Sequence, residues 1–184
     1  MDLIRRSQAG DESAFAALFE QYRNLVYKTA YLMLGEAHEA EDALQEVFMR
    51  AHRSLASYQP SKGAFTTWLY RITVNHCINQ KRGRRLQFLS LGQVHPAQMP
   101  RQPSPASGRG DRDMVVQAVQ KLSAKLRAVV VLRYYADMSY ADIAQTLQIP
   151  LGTVKSRLSA ALRALRVDLE DAASGLRLDE EVIE

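Results

Sequence analysis

The chain has 184 residues, of which 47% are hydrophobic and 24% are charged. These fractions are typical of a folded globular protein, and the length suits one ordinary domain or two small ones. The single cysteine, Cys77, excludes an intramolecular disulfide and a zinc site built on cysteines, which fits a reducing compartment. The N-terminus lacks the apolar stretch of a secretory signal, and no apolar run approaches the length of about 18 residues that a transmembrane helix needs. We therefore expect a cytoplasmic protein without membrane insertion.

Residues 90–112 divide the chain into two parts. This segment has little apolar periodicity, and four of the six prolines of the chain fall in it: Pro96, Pro100, Pro103 and Pro105. Such a composition is typical of a flexible linker. We predict one domain over residues 1–89, a second over 113–170 and an acidic tail over 171–184.

Apolar residues at helical spacing predict that the first domain is a helical bundle. Asp11 can cap a helix that ends at Gly35, and a second helix follows with apolar positions between Ala40 and Ala51. Residues 58–63 (YQPSKG) read as a loop, after which a third helix begins near Phe65. No segment shows the alternation of a strand, so this part is predicted to be all-α.

The second part is also helical and contains the spacing of a helix-turn-helix. Ser139 and Asp142 form a plausible capping pair before a short helix. Ala144 allows two helices to approach closely, Ile149 follows the turn, and Val154 anchors the second helix. The whole chain is therefore predicted to be all-α, with two small helical domains.

The second helix of this motif carries short hydroxyls and long cations on its outer face. Such side chains can read base edges in the major groove and bind phosphates. The predicted contacts with DNA are Thr153, Lys155, Ser156, Arg157, Ser159 and Arg163. Residues 121–167 hold eight cations and two anions, whereas 168–184 hold seven anions and one cation. A basic helix-turn-helix favours DNA binding, and we hypothesise that the acidic tail competes with DNA for this face.

The first part carries an acidic segment followed by a basic one. Residues 36–46 contain five carboxylates and no Lys or Arg, and Asp42, Gln45 and Glu46 share one helical face. That face either binds a basic partner or is simply solvated. Residues 71–85 contain five cations and no acid.

The basic segment and the loop before it predict a contact with unpaired bases. Asn75 and Asn79 lie one turn apart, and their amides can bind base edges while cations such as Arg82 bind phosphate. Tyr58 is the better candidate for stacking on a base. The other rings and side chains near the loop are expected to be core: Phe65, Trp68 and Leu69.

Three long motifs resemble the ECF-type (extracytoplasmic function) sigma factors of bacterial RNA polymerase. They are EAEDALQEVFMRAH, GAFTTWLYRITVNHCIN and YADMSYADIAQTLQIPLGTVKSRLSAALRAL, in the order of that family. The resemblance covers roughly residues 8–85 and 113–168. It implies a sigma-2-like and a sigma-4-like domain, with core RNA polymerase and promoter DNA as partners and a probable anti-sigma protein as a third.

The resemblance also implies roles for individual residues. Asp42, Gln45 and Glu46 would contact the clamp of core polymerase. The minus-35 element would be read by the outer face of the second helix of the helix-turn-helix. The minus-ten element would be opened and held by the loop and the basic helix, through Tyr58, Ser61, Lys62, Asn75, Asn79 and Arg82.

Other classes of protein explain less of the sequence. A stand-alone helix-turn-helix regulator accounts for residues 113–168 but leaves the acidic and basic segments of the first part unexplained. An enzyme is disfavoured because the four histidines form no spaced ligand set and Cys77 has no evident base partner. We therefore expect no catalytic residue, no metal and no cofactor. A pure protein-interaction module remains the third reading.

Overall fold

The computed structural model describes residues 2–90 and 110–181, and every regular element in these ranges is helical. This confirms the all-α prediction. Most of the predicted linker, residues 91–109, lies outside the described residues. The helices are α1 Asp2–Gln8, α2 Glu12–Leu34, α3 Ala37–Ser54, α4 Phe65–Ser90, α5 Gly110–Lys121, α6 Ala124–Val130, α7 Tyr140–Leu147 and α8 Leu151–Glu181. Ser90 and residues 110–112, predicted as ends of the linker, therefore belong to α4 and α5.

The N-terminal half, α1–α4, is a bundle whose helix ends follow the sequence signals. The carboxylate of Asp11 accepts a hydrogen bond from the amide of Ala14 at 3.1 Å and so caps α2. α2 ends at Leu34 and is capped by Gly35, which adopts φ +92°, a conformation that favours glycine. Helix α1, which the periodicity did not predict, packs Ile4 into the core of this bundle.

The C-terminal half, α5–α8, contains the predicted helix-turn-helix. The Ser139 hydroxyl accepts from the amide of Asp142 at 3.1 Å, and the Asp142 carboxylate accepts from the amide of Ser139 at 3.3 Å. This reciprocal cap starts α7. Between α6 and α7, residues Val131–Tyr135 form a π-helical segment that extends α6.

The two halves pack against each other through one continuous apolar core. Met33 and Val74 of the N-terminal half and Leu132 and Ile143 of the C-terminal half belong to the same buried cluster, and all four are fully buried. Cys77 also belongs to this cluster. The two predicted domains therefore share a core in this arrangement. Across residues 2–90 and 110–181, no helix is both long and apolar enough to cross a membrane.

Candidate nucleic-acid interface

The turn between α7 and α8 has the geometry of a helix-turn-helix. Gln148 adopts the left-handed conformation with φ +54°, and the amide of Ile149 donates to the carbonyl of Ala144 at 3.0 Å. Val154 is fully buried and holds α8 against α7. The predicted roles of Ala144, Ile149 and Val154 at this junction agree with the packing, since the first two are partly buried against the same core.

The side chains predicted to read DNA lie on the outer face at the start of α8. Lys155, Ser156, Ser159 and Arg163 are exposed, and Thr153 and Arg157 are half-buried. Val154, Leu158 and Ala161, on the opposite face, are buried. The structure thus brings the six candidates together on one accessible surface, which is what a helix lying in a major groove requires.

Residues 171–181 of the acidic tail continue α8 as a helix. The helix runs without interruption to Glu181. At a rise of about 1.5 Å per residue, residue 171 lies roughly 18 Å along the helix beyond Ser159. A helical tail therefore points away from the DNA-facing end of α8, and this arrangement does not support competition between the tail and DNA.

The loop before α4 is built around Tyr58, whose side chain is only 5% exposed. Its hydroxyl donates to the carbonyl of Gly63 at 3.0 Å, and its ring meets Phe65 edge-on with centroids 5.4 Å apart. Burial raises the pKa of Tyr58. Gln8 of α1 donates to the carbonyl of Tyr58 at 3.0 Å. In this conformation Tyr58 shapes the loop and offers no free ring face to a base, contrary to its prediction as the better stacking candidate.

Trp68 lies at the edge of the core beside this loop. Phe65 and Leu69 are buried, as predicted, but Trp68 is only partly buried. Trp68, Lys62 and Arg71 line a cavity of about 120 Å³. Sequence reasoning assigned Trp68 to the core because its spacing from Leu69 and Ile72 is helical. It gave no signal that this ring lies at the edge of the core.

The remaining minus-ten candidates are accessible on the loop and on α4. Ser61 and Lys62 are exposed in a short 3₁₀ turn, Pro60–Lys62. On α4, Asn79 and Arg82 are exposed and Asn75 is half-buried. Spacings of four and three residues place these three side chains along one side of the helix.

The acidic face of α3 is accessible as predicted. Asp42, Gln45 and Glu46 are all exposed, while Ala43 and Val47 of the same helix are buried. Two of these carboxylates have close neighbours: an oxygen of Asp42 lies 3.9 Å from Nε2 of His38, and an oxygen of Glu46 lies 3.8 Å from Nε of Arg50. These pairs are exposed and weak, so the face remains available to a basic partner.

An apolar groove of about 390 Å³ adjoins this acidic face. It is lined on one side by Gln45, Phe48 and Met49 of α3 and on the other by Phe15 and Phe19 of α2. Met49 is 43% exposed, which is unusual for a large apolar side chain. The sequence did not indicate this groove, because Phe15, Phe19 and Phe48 all lie at the helical spacing that predicts a buried face.

Within residues 2–90 and 110–181, no group of three or more His, Cys, Asp or Glu side chains could hold a metal ion. Cys77 is fully buried, and burial raises its pKa to about 12. A thiol in that state is a poor nucleophile.

Comparisons with known protein families match both halves of the chain. Residues 18–87 match the model of sigma-70 region 2, and residues 112–165 match that of sigma-70 region 4. The ECF RNA polymerase sigma factor SigW of Bacillus subtilis is 36% identical over 179 residues, which cover 91% of this chain and 95% of SigW. RNA polymerase sigma-H factor of Pseudomonas aeruginosa is 35% identical, covering 89% of this chain and 90% of its own length.

Solved structures show the same fold. The sigma factor RpoE of Bartonella quintana, in complex with the anti-sigma factor NepR, aligns with a TM-score of 0.67 and 25% identity, covering 85% of this chain and 96% of that chain. CnrH, in complex with the cytosolic domain of CnrY, aligns with a TM-score of 0.66 over 92% of this chain and 96% of its own, at 23% identity.

Proposed function

The chain belongs to the ECF sigma factors of bacterial RNA polymerase, and from that premise we propose which residues perform each step of its function. A sigma factor binds core RNA polymerase, recognises the minus-35 and minus-ten elements of a promoter and promotes melting of the DNA. The match to region 2 over residues 18–87 does not favour a stand-alone helix-turn-helix regulator. The residue assignments below are proposals.

The minus-35 element is read by the start of α8. Ser156 and Ser159 face base edges with their hydroxyls, while Lys155, Arg157 and Arg163 bind phosphates or guanine. The observation that supports this is that the candidates share one face of α8, exposed or half-buried, opposite buried Val154 and Leu158. The capped turn before α8 fixes the direction of the helix and thus aims the side chains.

The minus-ten element is opened by capture of unpaired bases. Asn75 and Asn79 bind base edges, Lys62 and Arg82 neutralise the backbone, and the partly buried Trp68 supplies a ring for stacking. Trapping a flipped base offsets the free energy of unpairing, so melting needs no nucleotide hydrolysis. Tyr58 contributes by holding the loop in shape through its bond to Gly63.

Core polymerase binds the outer face of α3. Asp42, Gln45 and Glu46 meet a basic surface of the enzyme, and the adjacent groove between α2 and α3 receives an apolar side chain of the same partner. The acidic face and the groove are continuous, because Gln45 belongs to both. This continuity supports the proposal that one partner occupies both. An acidic face beside an exposed apolar groove is typical of a protein interface with a stable core and a polar rim.

The test is run-off transcription with purified core polymerase, together with co-elution of the protein with core. Asp42→Arg should abolish co-elution, whereas Glu20→Arg, a reversal of an exposed carboxylate on α2, should leave it intact. Retention of core binding by Asp42→Arg would contradict the proposed contact.

DNA readout is tested separately with the assembled holoenzyme. Lys155→Glu and Arg157→Glu should each lower promoter binding at least about tenfold, since each loses a phosphate or base contact and adds repulsion. Arg166→Glu, an exposed cation farther along α8, is the matched control. Equal losses in all three variants would mean that only general charge matters and would reject the assigned face.

We also propose that an anti-sigma protein regulates this chain, that the chain acts in the cytoplasm and that it catalyses no reaction of its own. The first rests on the fold shared with RpoE, which was solved in complex with NepR. Pull-down from cells of the source organism, followed by identification of a stoichiometric partner that blocks core binding, tests it.

A further inference from the structure

The loop that precedes α4, residues 55–64, is tied to helix α1 by one side chain. The Nε2 amide of Gln8 donates to the carbonyl of Leu55 at 2.9 Å and to that of Tyr58 at 3.0 Å. These carbonyls lie at the beginning and just after the end of the 3₁₀ turn Leu55–Ser57. A primary amide carries two N–H donors, so a single glutamine can satisfy both acceptors at once. We call this pair of hydrogen bonds the α1 clasp.

Helix α1 is itself anchored, so the α1 clasp holds the loop to a fixed element. Ile4 is buried in the same apolar cluster as Leu55. Arg6 donates to the carboxylate of Asp11 through Nε at 3.0 Å and through Nη2 at 2.7 Å. Since Asp11 also caps α2, this pair ties α1 to the start of that helix. Gln8 follows Ile4 by four residues, which places both on the same side of α1.

A second side-chain hydrogen bond connects the α1 clasp to the residues proposed to contact the minus-ten element. The Tyr58 hydroxyl donates to the carbonyl of Gly63 at 3.0 Å, across the second 3₁₀ turn of the loop. The backbone bonds of the loop close turns of three residues, as from the amide of Lys62 to the carbonyl of Gln59 at 3.0 Å. Such local turns do not fix the loop against the rest of the bundle. The α1 clasp and the Tyr58 hydroxyl therefore form a series that runs from α1 to the turn that carries Ser61 and Lys62.

We propose that α1 is a positioning element for promoter reading, in which Gln8 holds the loop in the conformation that discriminates between minus-ten sequences. This inference rests on the proposed function, because it takes Ser61 and Lys62 as part of the minus-ten surface. Gln8 contacts no base in this role and acts through Tyr58. It also lies before residues 18–87, so the match to sigma-70 region 2 assigns it no role.

The test measures minus-ten selectivity as a ratio between two promoters opened by the same holoenzyme. One promoter carries a minus-ten sequence selected from a randomised library with the wild-type protein, and the other carries a single substitution in that sequence. The rate of open-complex formation is followed by the reactivity of unpaired thymines with permanganate. Because the ratio cancels the fraction of active protein, a variant that folds less completely does not distort it.

Gln8→Met keeps the length of the side chain but removes both donors. The selectivity ratio should fall about fivefold, the effect of about one net hydrogen bond, while the ratio for a minus-35 substitution stays unchanged. Gln8→Glu is isosteric but sets a carboxylate against two carbonyls, so its minus-ten ratio should fall further. Gln117→Met, the same change at an exposed site on α5, should leave both ratios unchanged. A wild-type minus-ten ratio in Gln8→Met, or an equal fall in its minus-35 ratio, would overturn the proposal.

Tyr58→Phe tests whether the two bonds act in series. It removes the hydroxyl bond to Gly63 and retains the ring, so the minus-ten ratio should fall by a similar factor. The double variant of Gln8→Met and Tyr58→Phe should lose little more than either single variant, because residues in one network are not additive. A double variant whose loss is the product of the two single losses would overturn the series.

The single tryptophan of the chain reports on the loop without polymerase or DNA. The ring centroids of Trp68 and Tyr58 lie 5.4 Å apart. Gln8→Met should therefore make Trp68 fluorescence easier to quench with acrylamide, whereas Gln117→Met should not. Unchanged quenching in Gln8→Met would overturn the role of the α1 clasp. Failure of the wild-type holoenzyme to select between minus-ten sequences would instead contradict the proposed function, and the quenching comparison would still decide whether α1 holds the loop.

Discussion

Arg127 is the buried cation on which the packing of the two halves depends, and Arg127→Met should destabilise the protein strongly. Methionine fills a similar volume but donates no hydrogen bond. The backbone carbonyls of Met33, Val119 and Leu122 would then each lose a hydrogen-bond donor. The site is buried, since Arg127 is only 2% exposed. Leaving one buried acceptor unsatisfied costs about 1–3 kcal/mol. The Val119 carbonyl keeps the amide of Leu122 as a donor, so the cost falls on the carbonyls of Met33 and Leu122. We expect the free energy of unfolding to fall by about 4 kcal/mol.

The assay is urea unfolding at neutral pH. With a slope of about 2 kcal/mol per molar, the midpoint should fall by about 2 M. Arg166→Met removes an exposed guanidinium from α8 and should change the stability by less than about 0.5 kcal/mol. Arg127→Lys should lie between wild type and Arg127→Met, because an ammonium cannot reach all the carbonyls at once. A midpoint for Arg127→Met within about 0.5 M of wild type would refute the argument.

Three further predictions concern the helix-turn-helix and the cysteine. Ser139→Ala removes the reciprocal cap of α7 and should cost about 1 kcal/mol in urea unfolding; no change would mean that the cap contributes nothing. Gln148→Gly should stabilise the protein by about 0.5 kcal/mol because φ is +54°, whereas Gln117→Gly inside α5 should destabilise it by about 1 kcal/mol; the same sign for both would contradict the reasoning. Cys77, with a pKa near 12, should react with a neutral thiol reagent at less than roughly a hundredth of the rate of free cysteine until the protein unfolds; rapid native labelling would reject the buried site.

Local signals in the sequence were sufficient to predict most helices. Asp11 and Gly35 lie at the two ends of α2, as expected. The side chain of Asp11 accepts a hydrogen bond from a backbone amide of the first turn, and Gly35 adopts the left-handed conformation after the last turn. Ser139 and Asp142 identified the start of α7, and the apolar rhythm around Val154 identified the packed face of α8. These signals act over one or two turns, so they can be read without knowledge of the rest of the molecule.

Features that depend on distant parts of the chain were not predicted. Helix α1 is too short for a periodicity to emerge, and it is held by the packing of Ile4 and by Gln8, which donates to the carbonyl of Leu55 at 2.9 Å. Tyr58 is buried and Trp68 lies at the edge of the core, because the burial of each ring depends on how the loop folds over α4. The core shared between halves joins residues such as Met33 and Leu132, whose partnership no local pattern encodes.

The charge count of the C-terminal half shows why a sequence total overstates the surface available to DNA. Eight cations fall in residues 121–167, yet they serve different purposes. Arg127 is buried and donates to the carbonyl of Val119 at 3.1 Å, Lys121 lies 3.2 Å from Asp168, and Arg133 donates to the carbonyl of Met138 at 2.9 Å. The cations on the proposed DNA face are Lys155, Arg157 and Arg163. The salt dependence of DNA binding reports the number of phosphates that the protein neutralises, not its net charge. The salt dependence for this half should therefore correspond to about three phosphate contacts.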